Sequence, residues 1–190
     1  MKRLLLMTFV LVVGATSVMA QYGRVGIFGN ATGTNCAITD AAVALLPVYV
    51  VHIGATGATA VQYTATKPAC TTASYLSDTN VFSVTLGNSQ TGMAIGYGAC
   101  LTGDIHVQTI NLFGSGTTPA CCIYPITCHP DGVSTGSCAR VKIDVVDCAF
   151  VVQDAPGQSG VINSTGACTC EMIIPVQESS WGQIKALYSE

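Results

Sequence analysis

Charge is the scarcest property of this sequence. Asp, Glu, Lys and Arg make up 9% of its 190 residues, where about 25% is usual for a globular chain. Seven basic residues leave no Lys/Arg footprint for a phosphate backbone, so no nucleic-acid partner is expected. No GxxxxGK[ST] run is present, and no GxGxxG joins a strand to a helix, which sets nucleotide binding aside. No EF-hand calcium loop occurs. The carboxylates are scattered. Asp144 and Asp147, three apart in a strand, face opposite ways, so no carboxylate pair for glycoside hydrolysis can be drawn. Beyond residue 20 no apolar run approaches the ~20 residues that span a bilayer. The mature chain is therefore expected to hold no membrane span, and no cofactor or metal is implied.

What fills the space is apolar, small or hydroxylic. Hydrophobic residues are 49% of the chain, enough for a folded core. Met1–Ala20 reads as a secretory signal. Lys2 and Arg3 form its positive start, 4–13 its apolar centre, and Val18-Met19-Ala20 a small-residue cleavage site ahead of Gln21. Gln21 is not a cysteine, so no lipid anchor is expected. The reading is a secreted protein, periplasmic or extracellular. All ten cysteines follow the signal: Cys36, Cys70, Cys100, Cys121, Cys122, Cys128, Cys138, Cys148, Cys168 and Cys170. An even number in an exported chain reads as disulfides. Cys121 and Cys122 are adjacent on an expected strand, so their side chains leave opposite faces and need different partners. Cys128 and Cys138 bracket a loop that a bond would pin.

The centre of the chain sets the fold class. In 81–86, Phe82, Val84 and Leu86 alternate with Ser83 and Thr85, one dry face and one wet. In 93–100, Met93, Ile95 and Tyr97 share a face, and Ala94, Gly96, Gly98 and Cys100 leave the other small enough for close approach by another layer. In 105–113, Ile105, Val107 and Phe113 lie opposite Ile110 and Leu112, and a β-bulge near Thr109 would turn both groups inward. Turn residues at 87–92 and 101–104 make these three an antiparallel meander. Tyr22–Phe28 reads as an edge strand. Residues 47–53 and 58–66 read as strands around a 54–57 turn, 67–80 as a loop, and 119–124 and 139–147 as further strands. About eight short strands predict an all-β antiparallel two-sheet sandwich, immunoglobulin-like in the broad sense and disulfide-stabilised. The expected division is signal 1–20, sandwich 21–148 and C-terminal extension 149–190. The extension carries a linker at 155–160, a further strand near 168–175, and a short helix in which Trp181, Ile184, Leu187 and Tyr188 recur at helical spacing behind a Ser180-x-x-Gln183 capping box.

The chemistry on offer is thin. Gly132-Val133-Ser134-Thr135-Gly136 matches GxSxG, but it lies in a cysteine-bounded loop and not on a strand-to-helix elbow. His52 and His106 lie on two strands and would make a metal pair only if those strands were neighbours; no third ligand is placed by spacing. Cys121, Cys122, Cys128, His129 and Cys138 crowd together, yet fit no zinc-finger spacing. Asn30-Ala31-Thr32 and Asn163-Ser164-Thr165 are sequons that carry sugar only in a host with that machinery.

The pieces YVVHIGATGATAVQY, LGNSQTGMAIGYGACLTG, IHVQTINLFG, VVDCAF and the ending SSWGQIKALY resemble a family of short, cysteine-rich secreted bacterial β-sandwich proteins. The resemblance implies export and a β-sandwich, and no activity. The chain is read as an exported non-enzymatic binding or envelope-associated module with an unknown protein or glycan ligand. Two alternatives stand beside it: a secreted hydrolase or metal-dependent enzyme using His52 and His106, and a structural surface subunit that self-associates through edge strands.

Overall fold

The computed structural model describes residues 22–132 and 142–169. Every regular element in them is a strand: β1 (Arg24–Phe28), β2 (Ala37–Ile38), β3 (Val43–Tyr63), β4 (Ser74–Asn80), β5 (Val84–Asn88), β6 (Gly92–Ser115), β7 (Cys122–Tyr124), β8 (Lys142–Asp147), β9 (Val152–Gln158) and β10 (Gly160–Ile162). The protein is all-β, as expected. Its division into strands is not the expected one.

Residues 47–53 and 58–66 are not two strands around a turn. They belong to β3, which continues through a bend. The second and third runs of the expected meander likewise merge into β6. The bends use glycines with positive φ: Gly54 at 63° and Gly57 at 136° in β3, Gly98 at 74° and Gly103 at 84° in β6. Glycine at positive φ serves a reversal and a kink equally well, so the sequence signal does not separate them. The two strands pair antiparallel from Val43↔Ser115 to Tyr63↔Met93, with register shifts at the level of the bends.

Bending lets one sheet supply both layers. The first half of β3 pairs with β1, and the second half pairs with β8. β9 then joins β8 antiparallel and β1 parallel, so the sheet returns upon itself. The halves face each other across a single core that includes Val48, Val50, Val61, Ile95, Ile110 and Val145. Polar contacts cross that core. Tyr63 Oη donates to Gln108 Oε1 at 2.8 Å, and both residues are fully buried. A small second sheet sets β10 between β2 (parallel) and β7 (antiparallel). The parallel pairings correct the all-antiparallel expectation.

Other expectations change with the topology. β1 is not an edge, because β3 and β9 flank it. The linker expected at 155–160 lies largely in β9, with Pro156 opposite Lys142, so a boundary after 148 would cut the sheet. The loop expected at 67–80 contains β4, whose side chains are mostly exposed and leave no alternating signal. The bulge in β6 falls slightly before Thr109, where Val50↔Gln108 shifts to Val51↔His106. Ile105 and Val107 before it, and Ile110 and Leu112 after it, are all buried. Phe113, expected with the first pair, follows the flipped alternation outward and is 45% exposed.

Disulfides hold this arrangement. Cys70–Cys122 ties the loop before β4 to β7, Cys100–Cys148 ties the bend of β6 to the β8–β9 turn, and Cys121–Cys168 secures the segment after β10. Adjacent Cys121 and Cys122 thus take different partners. Cys36 and Cys128 are also disulfide-bonded. The signal with Ala20 and Gln21, residues 133–136 of the GxSxG match, Cys138, Cys170 and the C-terminal Trp181, Ile184, Leu187 and Tyr188 lie outside the described residues.

Gly57 shows how tightly the bend and the bridge are built. A Cβ there would lie 3.0 Å from Cys148 Sγ and 3.7 Å from Cys100 Sγ. Gly57→Ala is expected to lower stability by about 1–3 kcal/mol, from the left-handed backbone and the crowded bridge together. Urea unfolding of the oxidised protein measures it, and an unchanged midpoint would contradict this account of the bend.

Candidate functional site

The two histidines proposed as a metal pair do sit on neighbouring strands. Their register separates them. His52 is opposite Ile105, and His106 is opposite Val51, so the imidazoles leave opposite faces of the sheet. His52 is fully buried. Its Nε2–H donates to the Tyr22 carbonyl at 2.6 Å, since a carbonyl only accepts, and Nδ1 accepts from Tyr97 Oη at 3.1 Å. His106 is half-buried, with Nε2 3.2 Å from the Gln108 carbonyl and 3.1 Å from Thr109 Oγ1, and its ring meets Tyr49 edge-on. The arrangement gives the pair no common ligand. Among the described residues no group of three His, Cys, Asp or Glu side chains is placed to hold a metal.

A polar cluster that the sequence did not advertise surrounds Asp40. This buried carboxylate accepts from Gly116 N at 2.8 Å, from Thr118 N at 3.2 Å and from the Thr118 hydroxyl. Asp40 N in turn donates to Asn163 Oδ1 at 2.9 Å. Burial pushes the carboxyl pKa up, but the donated hydrogen bonds prevail and hold it below its ordinary value. The cluster joins three distant stretches of chain, at 40, 116–118 and 163, so no local motif could reveal it. The cluster is a staple and offers no open group.

The feature left without an internal role is the outer face of the β5–β6–β3–β8–β9 sheet. Val84 pairs with Gly96, Gly96 with Ala60, Ala60 with Val146 and Val146 with Val152. Directly paired residues share a face, so these five form one apolar row across five strands. Their inner neighbours Ile95, Val61 and Val145 fill the core. The next row runs Leu86, Ala94, Gln62, Asp144 and Asp154. At its β8 end the face is covered, since Asp144 is buried and a Cβ on Gly132 would lie 2.8 Å from its Oδ2, and beyond it Lys142 is ion-paired with Asp154. Val84 and Leu86, expected on a dry face, are 64% and 77% exposed. Only Phe82 of that trio turns inward, against Tyr97 at 4.9 Å between ring centroids. The small residues Ala94 and Gly96 meet no further layer among the described residues. They leave a shallow floor between Val84 and Val146. The row continues into the β8–β9 turn, where Phe150 and Val151 are exposed.

No protein-family model and no curated protein matches the chain. Among solved structures it is similar to the sixth cohesin of scaffoldin B from Acetivibrio cellulolyticus, determined in complex with a mutant Cel5 dockerin. That likeness has 12% identity, covers 75% of this chain and 98% of that one, and has a TM-score of 0.48. It is also similar to a non-cellulosomal cohesin from the hyperthermophilic archaeon Archaeoglobus fulgidus, at 10% identity over 76% of this chain and 91% of that one, TM-score 0.47. The seventh ScaB type I cohesin of Pseudobacteroides cellulosolvens aligns at 10% identity over 78% and 96%, TM-score 0.40. Likeness of this degree says nothing of a ligand. No helix among the described residues is long and apolar enough to cross a membrane.

The buried imidazole has a measurable consequence. Burial lowers the pKa of His52 from 6.5, against a smaller upward pull from the Tyr22 carbonyl. The unfolded chain therefore takes up a proton that the folded chain refuses. Stability is unaffected above the unfolded pKa and falls as pH drops below it, by up to about 1.4 kcal/mol per pH unit. Burial lowers the half-buried His106 in the same direction. Urea unfolding on either side of pH 6.5 should show the loss, and His52→Gln should reduce it; an equal loss in both proteins would remove His52 as its source.

Proposed function

We propose that this chain is an exported, non-enzymatic interaction module that engages a protein through the apolar row Val84–Gly96–Ala60–Val146–Val152 and the edge beside it. The carrying observation is that row: five paired strands present small or aliphatic side chains outward, on a surface otherwise rich in hydroxyls and amides. A contiguous exposed apolar patch costs solubility, and it is retained where something covers it. The disulfides support an oxidising compartment, in keeping with removal of 1–20 before Gln21. The enzyme alternative loses its motive, because His52 and His106 face apart.

The test is site-specific photo-cross-linking in the exporting cell. A photoreactive residue at Val84 or Leu86 should give discrete adducts identifiable by mass spectrometry, and one at Thr32, on the exposed loop after β1, should not. Absence of adducts at both positions would overturn the reading.

A further inference from the structure

We infer that the partner at the edge beside this face is a second copy of the chain, joined by antiparallel pairing of β5 with β5 about Thr85. The inference rests on the interaction-module reading and names its partner.

The first observation is a free backbone edge. β4 and β5 both pair with β6, and neither has a second neighbour among the described residues. Residues 74–88 therefore form one long edge, broken at 81–83 beside the bend of β6. Such edges are normally guarded by lysine, proline, bulges or inward charge. The β4 half has a guard, since its register shifts between Tyr75 and Ser77. The β5 half has none. It pairs with β6 in unbroken register from Val84↔Gly96 to Asn88↔Gly92, and Val84-Thr85-Leu86-Gly87-Asn88 holds no proline and no charge. The nearest carboxylate, Asp78, is turned back onto Ser89, accepting from its N–H and its hydroxyl at 2.7 Å each.

The second observation selects the occupant. Val84 and Leu86 flank Thr85 on the outer face. In an antiparallel pair centred on Thr85, Val84 of each copy faces Leu86 of the other, giving two aliphatic cross-strand contacts by symmetry. Thr85 faces its own copy on the inner side. The exposed charged pair, Lys142 and Asp154, lies three to four strands from the axis. The join therefore brings no like charges together. The apolar row of one copy also continues across the axis into Leu86 and Ala94 of the other. A foreign strand would need this same alternation, which the chain itself supplies.

Sedimentation equilibrium on the full mature chain, from micromolar to millimolar loading, tests the inference. The wild type should be a dimer at the upper end. Val84→Lys with Leu86→Lys should weaken dimerisation by at least ~10-fold. Val84→Glu with Leu86→Glu should do the same. At micromolar loading both variants should keep the wild-type near-ultraviolet circular dichroism and urea midpoint, because the replaced side chains are exposed. An equimolar mixture of the two should recover the dimer, since each lysine then faces a glutamate. A wild type that stays monomeric overturns the inference, as does a dimer indifferent to the substitutions or a mixture that stays monomeric. A monomer that still forms a discrete Leu86 adduct with a different protein overturns the second copy and leaves the interaction module standing. A monomer without adducts removes both.

Discussion

The pairing of β3 with β6 is the constraint on which the rest of the molecule depends. Two long strands that bend together carry their hydrogen-bond ladder from one layer to the other. Side chains that point inward before the bend must meet those that point inward after it. That requirement builds the core, in which Val48 and Val61 of one strand serve the same cluster. It also decides which elements dock: β1 on the first half, β8 on the second, and β9 between them. The Cys100–Cys148 bridge crosses at the bend over Gly57, where a Cβ would lie 3.0 Å from Cys148 Sγ.

A chain with so little charge must satisfy its buried polar groups otherwise. Hydroxyls and amides do this. Tyr63, Gln108 and Asn80 form a chain of hydrogen bonds across the core. Asp40 draws in Thr118, and Thr118 shares hydrogen bonds with Thr71 and Thr72. Burial raises the phenol pKa values of Tyr63, Tyr97 and Tyr124, so all three stay neutral donors. The same economy leaves β5 without the lysines that usually guard an edge. Val84 and Leu86 stand exposed where other proteins place charge.

Several signals read correctly as residue types acquired a different meaning in three dimensions. The small residues Ala94 and Gly96 predict close approach by a layer. The structure leaves them half-buried beside Val84, because β6 turns Met93, Ile95 and Tyr97 to the core and the loop at 129–132 covers the other side farther along, at Gly92 and Asp144. His52 and His106 look like a pair because both lie on strong strands. A period of two places them on opposite faces, and only the register, with its shift at Val50/Val51, could decide this.

The sequence by itself determined the β class, through alternation such as Met93-Ala94-Ile95-Gly96-Tyr97, and the sulfur chemistry, through an even set of cysteines behind a leader-like segment. It determined that Cys121 and Cys122 must part, because adjacent residues of an extended chain point opposite ways. Only the tertiary structure decided that two pairs of apparent strands are two bent ones, that 155–158 are strand within the sheet, and that among the described residues β5 and not β1 carries a free edge. The physical reason is that alternation and glycine content are local, whereas strand partners are chosen by contacts far apart in sequence. Exposure at an edge is the absence of such a contact, and no local pattern encodes an absence.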